Sequence, residues 1–154
     1  MTKDLGFAWY RFDDLGVARL YALLRLRFEV FVLEQRCLYR ELDGRDQEAL
    51  HLLVSAADGD RLLGYLRALP PAAGRPEAWI GRVVVDPEAR KQGLGAELLR
   101  RALDGIGERF GAVPVALAAQ SYLRRYYEGF GFAAVSEEYL DEGEVPHIDM
   151  RRSP

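Results

Sequence analysis

The sequence predicts a mixed α/β fold, a mixed β-sheet with helices packed on its faces. Two observations carry this expectation. Short aromatic or β-branched runs alternate with segments of helical period, in the order β, α, loop or short helix, β, β, β, α, β, α, β, β. One of those runs, Val83-Val84-Val85, passes through Asp-Pro and a basic, glycine-paired turn straight into a helical pattern, in the stretch VVVDPEARKQGLGAELLRRAL.

FAWYRF reads as the first strand, rich in aromatics and ending at Asp13-Asp14. Those aspartates stand where they can cap a helix whose apolar positions, Val17, Leu20, Tyr21, Leu24, Phe28 and Phe31, recur at helical spacing. The polar stretch EQRCLYRELDGRDQE breaks the pattern. HLLVSA and RLLGYLRAL then flank Asp58-Gly59-Asp60, a hairpin signal because Gly59 tolerates a positive φ. PPAAGRP, from Pro70 to Pro76, is short enough for a hairpin loop, and AWIGRVVV is the strand after it.

After Gly95 the set Leu98, Leu99, Ala102, Leu103, Ile106 and Phe110 keeps helical period, with charges on the other face. VPVALAA is apolar on both faces, as a buried strand is. SYLRRYYEGF suits a short helix with Ser121 as N-cap, and FAAVSEEYL and PHIDMRR finish the sheet as two strands separated by DEGEV. No repeat or linker divides the chain, so residues 1–154 read as one domain.

Composition narrows the function. The chain is 49% apolar and 29% charged, an ordinary globular balance. A net charge of −3 argues against a nucleic-acid surface, which shows a basic excess. The lone Cys37 has no internal disulfide partner, which fits a reducing, cytoplasmic setting. No leader pattern is visible, and no apolar run approaches the roughly 18 residues of a membrane span. Two histidines and one cysteine without close spacing give no metal-ligand pattern.

A strand that feeds directly into a helix leaves backbone N–H groups unpaired in the turn, and with the positive helix end they form an anion site. Gly93 and Gly95 let a ligand approach that backbone with no Cβ in the way, and Arg90 and Lys91 add charge at the rim. A pyrophosphate suits such a site; a tight turn with no ligand is the alternative. A nucleotide P-loop needs Gly-Lys-Ser/Thr, but Ala96 and Glu97 follow Gly95. A dinucleotide fingerprint needs Gly or Ala where this chain has Leu98.

The pattern Arg90-x-x-Gly93-x-Gly95, after a strand and opening a helix, resembles motif A of the GNAT superfamily of acetyl-CoA-dependent N-acetyltransferases. YYEGFGF, Tyr126 to Phe132, is similar to that family's aromatic-Tyr-x-x-x-Gly-Phe signature, and the element order matches along nearly the whole chain. FEVFVLEQRCLYRELDGRDQEALHLLV and VPHIDM are similar to the bacterial ElaA-like branch, through Glu34, Gln35, Asp43, Gly44, Asp46, His51, Pro146, His147 and Met150.

The resemblance implies the GNAT, or acyl-CoA N-acyltransferase, fold: a central mixed β-sheet flanked by helices on both faces. It implies acetyl-CoA as the cofactor, wedged where the strand Ile80 to Val85 splays from VPVALAA. Val83, Val84 and Val85 would contact the pantetheine arm, and Arg90, Lys91, Gln92, Gly93, Leu94, Gly95 and Ala96 would cradle the pyrophosphate. A strand N–H can polarise the thioester carbonyl.

Tyr127 matches the family tyrosine that protonates the departing thiolate; packing in the core beside Tyr126 is the other role open to it. An alkylammonium, with pKa about 10, must lose a proton before it attacks. His147, His51, Glu34 or a water held by one of them can serve as base, and a structural histidine is the alternative. Gln35, Asp43, Asp46, His51 and Arg82 are the candidate acceptor contacts. Against this, Glu41, Asp43, Asp46 and Glu48 lie among Arg40 and Arg45 and can form an internally paired, solvated loop, EEYLDEGE can be a turn or a substrate rim, and Arg82 can be an ion-pair residue or a carboxylate clamp. Cys37 has no partner that would make it a nucleophile, and the family resemblance implies direct transfer in a ternary complex rather than an acyl-cysteine.

Two functions of different class follow. One is an N-acetyltransferase acting on a small-molecule or peptide amine. The other is a non-catalytic acyl-CoA-binding sensor or interaction module. A proton donor at position 127 favours the enzyme. A homodimer is open on family resemblance, with no obvious exposed apolar stripe demanding it.

Overall fold

A computed structural model of the chain describes residues 4–59, 61–140 and 145–154. Asp60 of the predicted hairpin turn, and residues 141–144 of the DEGEV connection and of the suggested EEYLDEGE rim, lie outside the described residues.

The strands are β1 (Gly6–Arg11), β2 (Leu50–Ser55), β3 (Leu62–Leu69), β4 (Ala78–Val85), β5 (Val115–Gln120), β6 (Ala133–Ala134), β7 (Tyr139–Leu140) and β8 (Pro146–Arg152). The helices are α1 (Gly16–Arg27), α2 (Leu94–Phe110) and α3 (Arg124–Glu128). They build a mixed α/β architecture, one open sheet of order β1-β2-β3-β4-β5-β8-β6 with β7 also on β8. Among the described residues only β4 and β5 pair in parallel, the arrangement a crossover through α2 requires. Gly59 turns the β2–β3 hairpin at φ 79°, and the Ala72–Arg75 bridge closes the hairpin between β3 and β4.

Period-two alternation divides the sheet between two cores. Leu52, Val54, Leu66, Ala68, Ala78 and Ile80 pack under α2 with its buried Leu94, Leu98, Leu99, Ala102 and Ile106. Leu53, Tyr65 and Val84 face the other way, against Leu15, Leu23, Leu26, Val30 and Phe31. Val84 breaks the parity of Ala78 and Ile80 because β4 carries a bulge. Tyr65 pairs Val84 and Arg67 pairs Gly81, so β4 has one residue more than β3 between those pairs. Arg82 sits in the bulge at φ 55°, and beyond it Val83 and Val85, not Val84, turn toward the α2 core.

Of the predicted face of the first helical segment, Leu20, Leu24 and Phe31 pack inward and the other three do not. Val17, Tyr21 and Phe28 are exposed, while Leu23, Leu26 and even Arg27 are buried. An apolar side chain occurs on nearly every side of this segment, so period alone does not choose the face; the ion pairs of Arg27 do, as described below. Asp13 and Asp14 do not cap α1: they lie in a 3-10 turn, and the cap position is Leu15, with no side-chain bond. Beyond Arg27 the winding loosens into a π-helical segment, Phe28–Glu34, closed by Gln35 N–H donating to Val30 O at 2.9 Å.

Ser121 is not a helix cap either. It opens a 3-10 turn, Leu123 stands at the cap of α3, and the buried Ser121 Oγ has no hydrogen-bond partner among the described residues. FAAVSEEYL divides into β6 and β7 because Ser136 Oγ accepts the Asp149 N–H at 2.9 Å, displacing the ladder between them.

Candidate active site

The sheet parts in its middle. β4 and β5 share only the pairs Ala78–Val115 and Trp79–Ala116, and from there to Val85 and Gln120 they diverge. Arg82 and Val83 fall in the divergent part and have no register partner in β3 or β5. The gap opens into a groove of about 900 Å³. Its far wall is a grid of small and polar residues on the face of β5 and β8 away from α2, with Gln120 opposite His147, Ala118 opposite Asp149 and Ala116 opposite Arg151. Ala118 is exposed there, which corrects the prediction of a strand buried on both faces. Tyr127 belongs to the α2-side core yet lines this groove, so the gap runs through the sheet.

On the α2 side the gap meets the glycine turn. Gly93 caps α2 in the left-handed region, φ 76°, and Lys91 is left-handed too, at φ 65°. Glu97 N–H donates to Gly93 O at 3.1 Å, so the amides of Leu94, Gly95 and Ala96 are the helix's orphan donors. A Cβ on Gly93 would meet nothing within 4 Å, so the turn's backbone stands in the open; one on Gly95 would lie 3.9 Å from Tyr126 Oη and from Val85 Cγ2. Val85 is thus next to the turn. The Val84 side chain is on the other face and Leu94's is in the core, so either can offer a ligand in the gap only its backbone.

His147 Nδ1 lies 2.8 Å from Val145 O. A carbonyl only accepts, so Nδ1 carries the proton and Nε2 is left as an acceptor. The ring stacks on Tyr139, whose hydroxyl donates to Asp149 Oδ1 at 2.6 Å. The hydroxyl of Tyr127, 9% exposed, makes no hydrogen bond among the described residues, and its ring packs edge-on to Tyr126 and Phe132. Burial first, and then neighbouring Tyr126 and Tyr122, push its pKa up to about 12.

The roof of the groove is held by buried charge. Arg27 reaches Glu41 at 2.6 Å and Asp46 at 2.8 Å; Arg67 reaches Asp43 at 2.5 Å and Asp46 at 3.0 Å; Arg82 reaches Glu41 at 2.9 Å and Asp43 at 3.4 Å. Three arginines from α1, β3 and β4 thus meet three carboxylates of one segment. Burial pushes the Asp43 and Asp46 carboxyls up, but the arginines outweigh it and hold both below the ordinary range. His51 is fully buried, with Nε2 on Asp46 O at 2.8 Å and Nδ1 on Tyr65 Oη at 2.6 Å. Burial holds its pKa below the ordinary value.

These positions sort the predicted residues. Gln35, Asp43, Arg82, Val83, Tyr127 and His147 line one groove. His51 and Asp46 do not: both are buried, His51 with both ring nitrogens engaged and Asp46 with Oδ1 held by Arg27 and Arg67. Glu34 is outside the groove lining as well, with its carboxylate paired to Arg90 at 2.8 Å. The acidic segment is not a solvated loop paired with its own Arg40 and Arg45; only Arg45 and Glu48 pair locally. Arg82 is an ion-pair residue. Asp149 and the bulge escaped prediction. Gly81 inside a strand pattern was the available signal for the bulge, and the alternation of His147 and Asp149 on one strand was the signal for the other. Among the described residues, no three His, Cys, Asp or Glu side chains cluster as a metal site would need, and no helix is long and apolar enough to cross a membrane.

A model of the acetyltransferase (GNAT) domain matches residues 16–154. The chain is 37% identical over 140 residues to the protein ElaA of Escherichia coli, covering 91% of each chain, and 38% identical to a UPF0039 protein of Schizosaccharomyces pombe, covering 97% of each. Among solved structures, an acyl-CoA N-acyltransferase from Pseudomonas aeruginosa matches with a TM-score of 0.91 at 46% identity, over 97% of this chain and 99% of that one. The crystal structure of Escherichia coli ElaA matches at 0.89 and 36%, with the same coverage.

Proposed function

The chain belongs to the GNAT acetyltransferase family of acyl-CoA-dependent enzymes, and from that premise we propose that it is an N-acetyltransferase that moves an acetyl group from acetyl-CoA to a primary amine, small or peptide-borne, by direct transfer in a ternary complex. It acts in the cytoplasm as a single domain. The observation that carries this reading is the gap through the sheet, with the glycine turn and Tyr127 on one side and His147 on the other.

The residues present fit an acyl-CoA. The orphan amides of Leu94, Gly95 and Ala96, with Arg90, Lys91 and Gln92 beside them, suit a diphosphate. The backbone of Val83, Val84 and Val85 runs along the gap where an extended pantetheine arm needs hydrogen-bonding partners, and the unpaired main chain at the bulge suits the carbonyl oxygen of the acyl group. The bound thioester supplies an activated acyl carbon.

His147 Nε2 takes one proton from the acceptor ammonium, which frees the nitrogen's lone pair. The new bond is nitrogen to acyl carbon, and the bond broken is carbon to sulfur. Tyr127 stays a phenol at neutral pH because burial raises its pKa, and its hydroxyl donates to the departing sulfur. Two protons leave the nitrogen and one ends on sulfur, so each turnover releases one proton to solvent.

Incubation with acetyl-CoA and a panel of amines, followed by free thiol, tests the proposal. Thiol release dependent on both substrates is expected. Tight CoA binding with no thiol release on any amine would instead indicate a sensor or interaction module.

A further inference from the structure

Building on the proposed acyl-transfer site, we infer that the acceptor is an amine that also carries an anionic group, a carboxylate or a phosphate-like group, at the far end of a partly apolar chain. The whole chain has a net charge of −3, yet six arginines line the groove against the carboxylates of Asp43, Glu77 and Asp149. Four of those arginines are engaged by carboxylates: Arg67 and Arg82 in the buried network, Arg45 by Glu48, and Arg151 by Glu77. Arg40 and Arg75 have no carboxylate within 4.0 Å among the described residues. Arg75 is further marked by a buried Nε with no hydrogen-bond partner, its Nη2 being held on Pro70 O at 2.7 Å.

Asp149 and Arg75, which no ion pair engages among the described residues, sit at opposite ends of the groove. At the open end, His147 and Asp149 share one face of β8; Asp149 Oδ1 accepts from Tyr139, and Oδ2 makes no bond among the described residues. A carboxylate beside an imidazole acceptor recognises an ammonium. At the closed end, where Trp79 still pairs with Ala116, Arg151 bonds Glu77 at 3.2 Å, two residues from Arg75. Same-face residues on a strand are about 7 Å apart, so Asp149 at the ammonium end and Arg151 toward the closed end are spaced by about 7 Å. Leu69, Trp79 and Val135 also line the groove and offer apolar contact to the chain joining the two groups.

Calorimetric titration of the CoA-loaded protein with 6-aminohexanoate, 5-aminopentylphosphonate and hexylamine tests this. At least one of the two anionic amines is expected to bind about tenfold tighter than hexylamine, from one charge-assisted hydrogen bond, and the tighter of the two identifies the anion. Glycine, too short to span, is expected to bind more weakly than 6-aminohexanoate. Arg75→Met should bring the anionic and plain amines together in affinity, with Arg75→Lys keeping part of the difference; both sit in a half-exposed hairpin loop, and circular dichroism checks their fold. Equal or tighter binding of hexylamine, no binding of any of the compounds at millimolar concentration, or a preference unmoved by Arg75→Met overturns the inference. The readout is binding, so a failure to acetylate would count against the proposed reaction and not against this preference.

Discussion

Arg82 contacts Glu41 through Nε and Oε2 at 2.9 Å while its own backbone stands in the left-handed region at φ 55°. The two facts belong together. A non-glycine residue in that conformation is disfavoured by about 1–2 kcal/mol, and the bulge that imposes it sits where β4 leaves β5. The anchoring of Arg82 on Glu41 and Asp43 ties the groove's roof to the strand that forms its edge.

Arg82→Gly and Arg82→Ala both remove these ion pairs, but only glycine suits the backbone. Arg82→Gly is expected to be about 1 kcal/mol more stable than Arg82→Ala in urea unfolding. The reverse order would remove the argument for strain at the bulge.

Arg27 is wholly buried between Glu41 and Asp46. Arg27→Met fills the space but takes one cation from each of two buried carboxylates, leaving Glu41 with Arg82 and Asp46 with Arg67, and a loss of about 3 kcal/mol is expected. A shift in urea midpoint equivalent to less than 1 kcal/mol would mean the network contributes little.

His51 has a folded pKa below its ordinary value of about 6.5. The unfolded chain therefore binds a proton that the native state refuses, so its contribution to stability is present above about pH 6.5 and declines as pH falls below it. Asp43 and Asp46, also depressed, add a second loss only below about pH 4. Between pH 7.5 and 5.5 the stability of the wild type should fall, and His51→Gln, which does not titrate there, should flatten the profile. Identical slopes in the two proteins would assign the acid sensitivity elsewhere.

Tyr127→Phe keeps the ring that packs on Tyr126 and Phe132 and deletes only the hydroxyl. Turnover is expected to drop by about 10²-fold or more, with thermal stability and CoA affinity close to wild type. Normal kcat would reduce Tyr127 to a packing residue.

Gly93→Val puts a β-branched residue at φ 76° at the start of α2. CoA binding, followed by calorimetry, should weaken at least tenfold, while the helix, whose packing lies further along at Leu98, Leu99 and Ala102, persists in circular dichroism. Undiminished affinity would detach the turn from phosphate recognition.

What is legible in this sequence is what neighbouring residues decide. Gly93 and Gly95 lie two apart between a strand and a helix, and such a turn announces its open amides locally. Strand positions are similarly local, since Leu52 and Leu53 must face opposite ways. The burial of Arg27 is not local: its partners Glu41 and Asp46 lie 14 and 19 positions on, and only their arrival on the sheet makes the inward face of α1 the one bearing a charge. His51 and Asp46 share the family pattern with His147, yet they are sealed in the roof's support and His147 is not. Sequence similarity alone does not separate a residue that supports the groove from one that lines it. Asp149 stands beside His147 on the groove face through strand alternation, a relation that needs the register with β5 to become a site.

The seam of two residue pairs between β4 and β5 has a mechanical consequence. The ladder there is too short to fix the angle between the β1–β4 and β5–β8 halves, so much of that restraint passes to α2 and the crossover around it. A guest lying along Val83 to Val85 would supply the missing rungs and act as a temporary ninth strand. Amide hydrogen exchange in the diverging stretches should slow on loading, making the occupied enzyme the stiffer of its two forms.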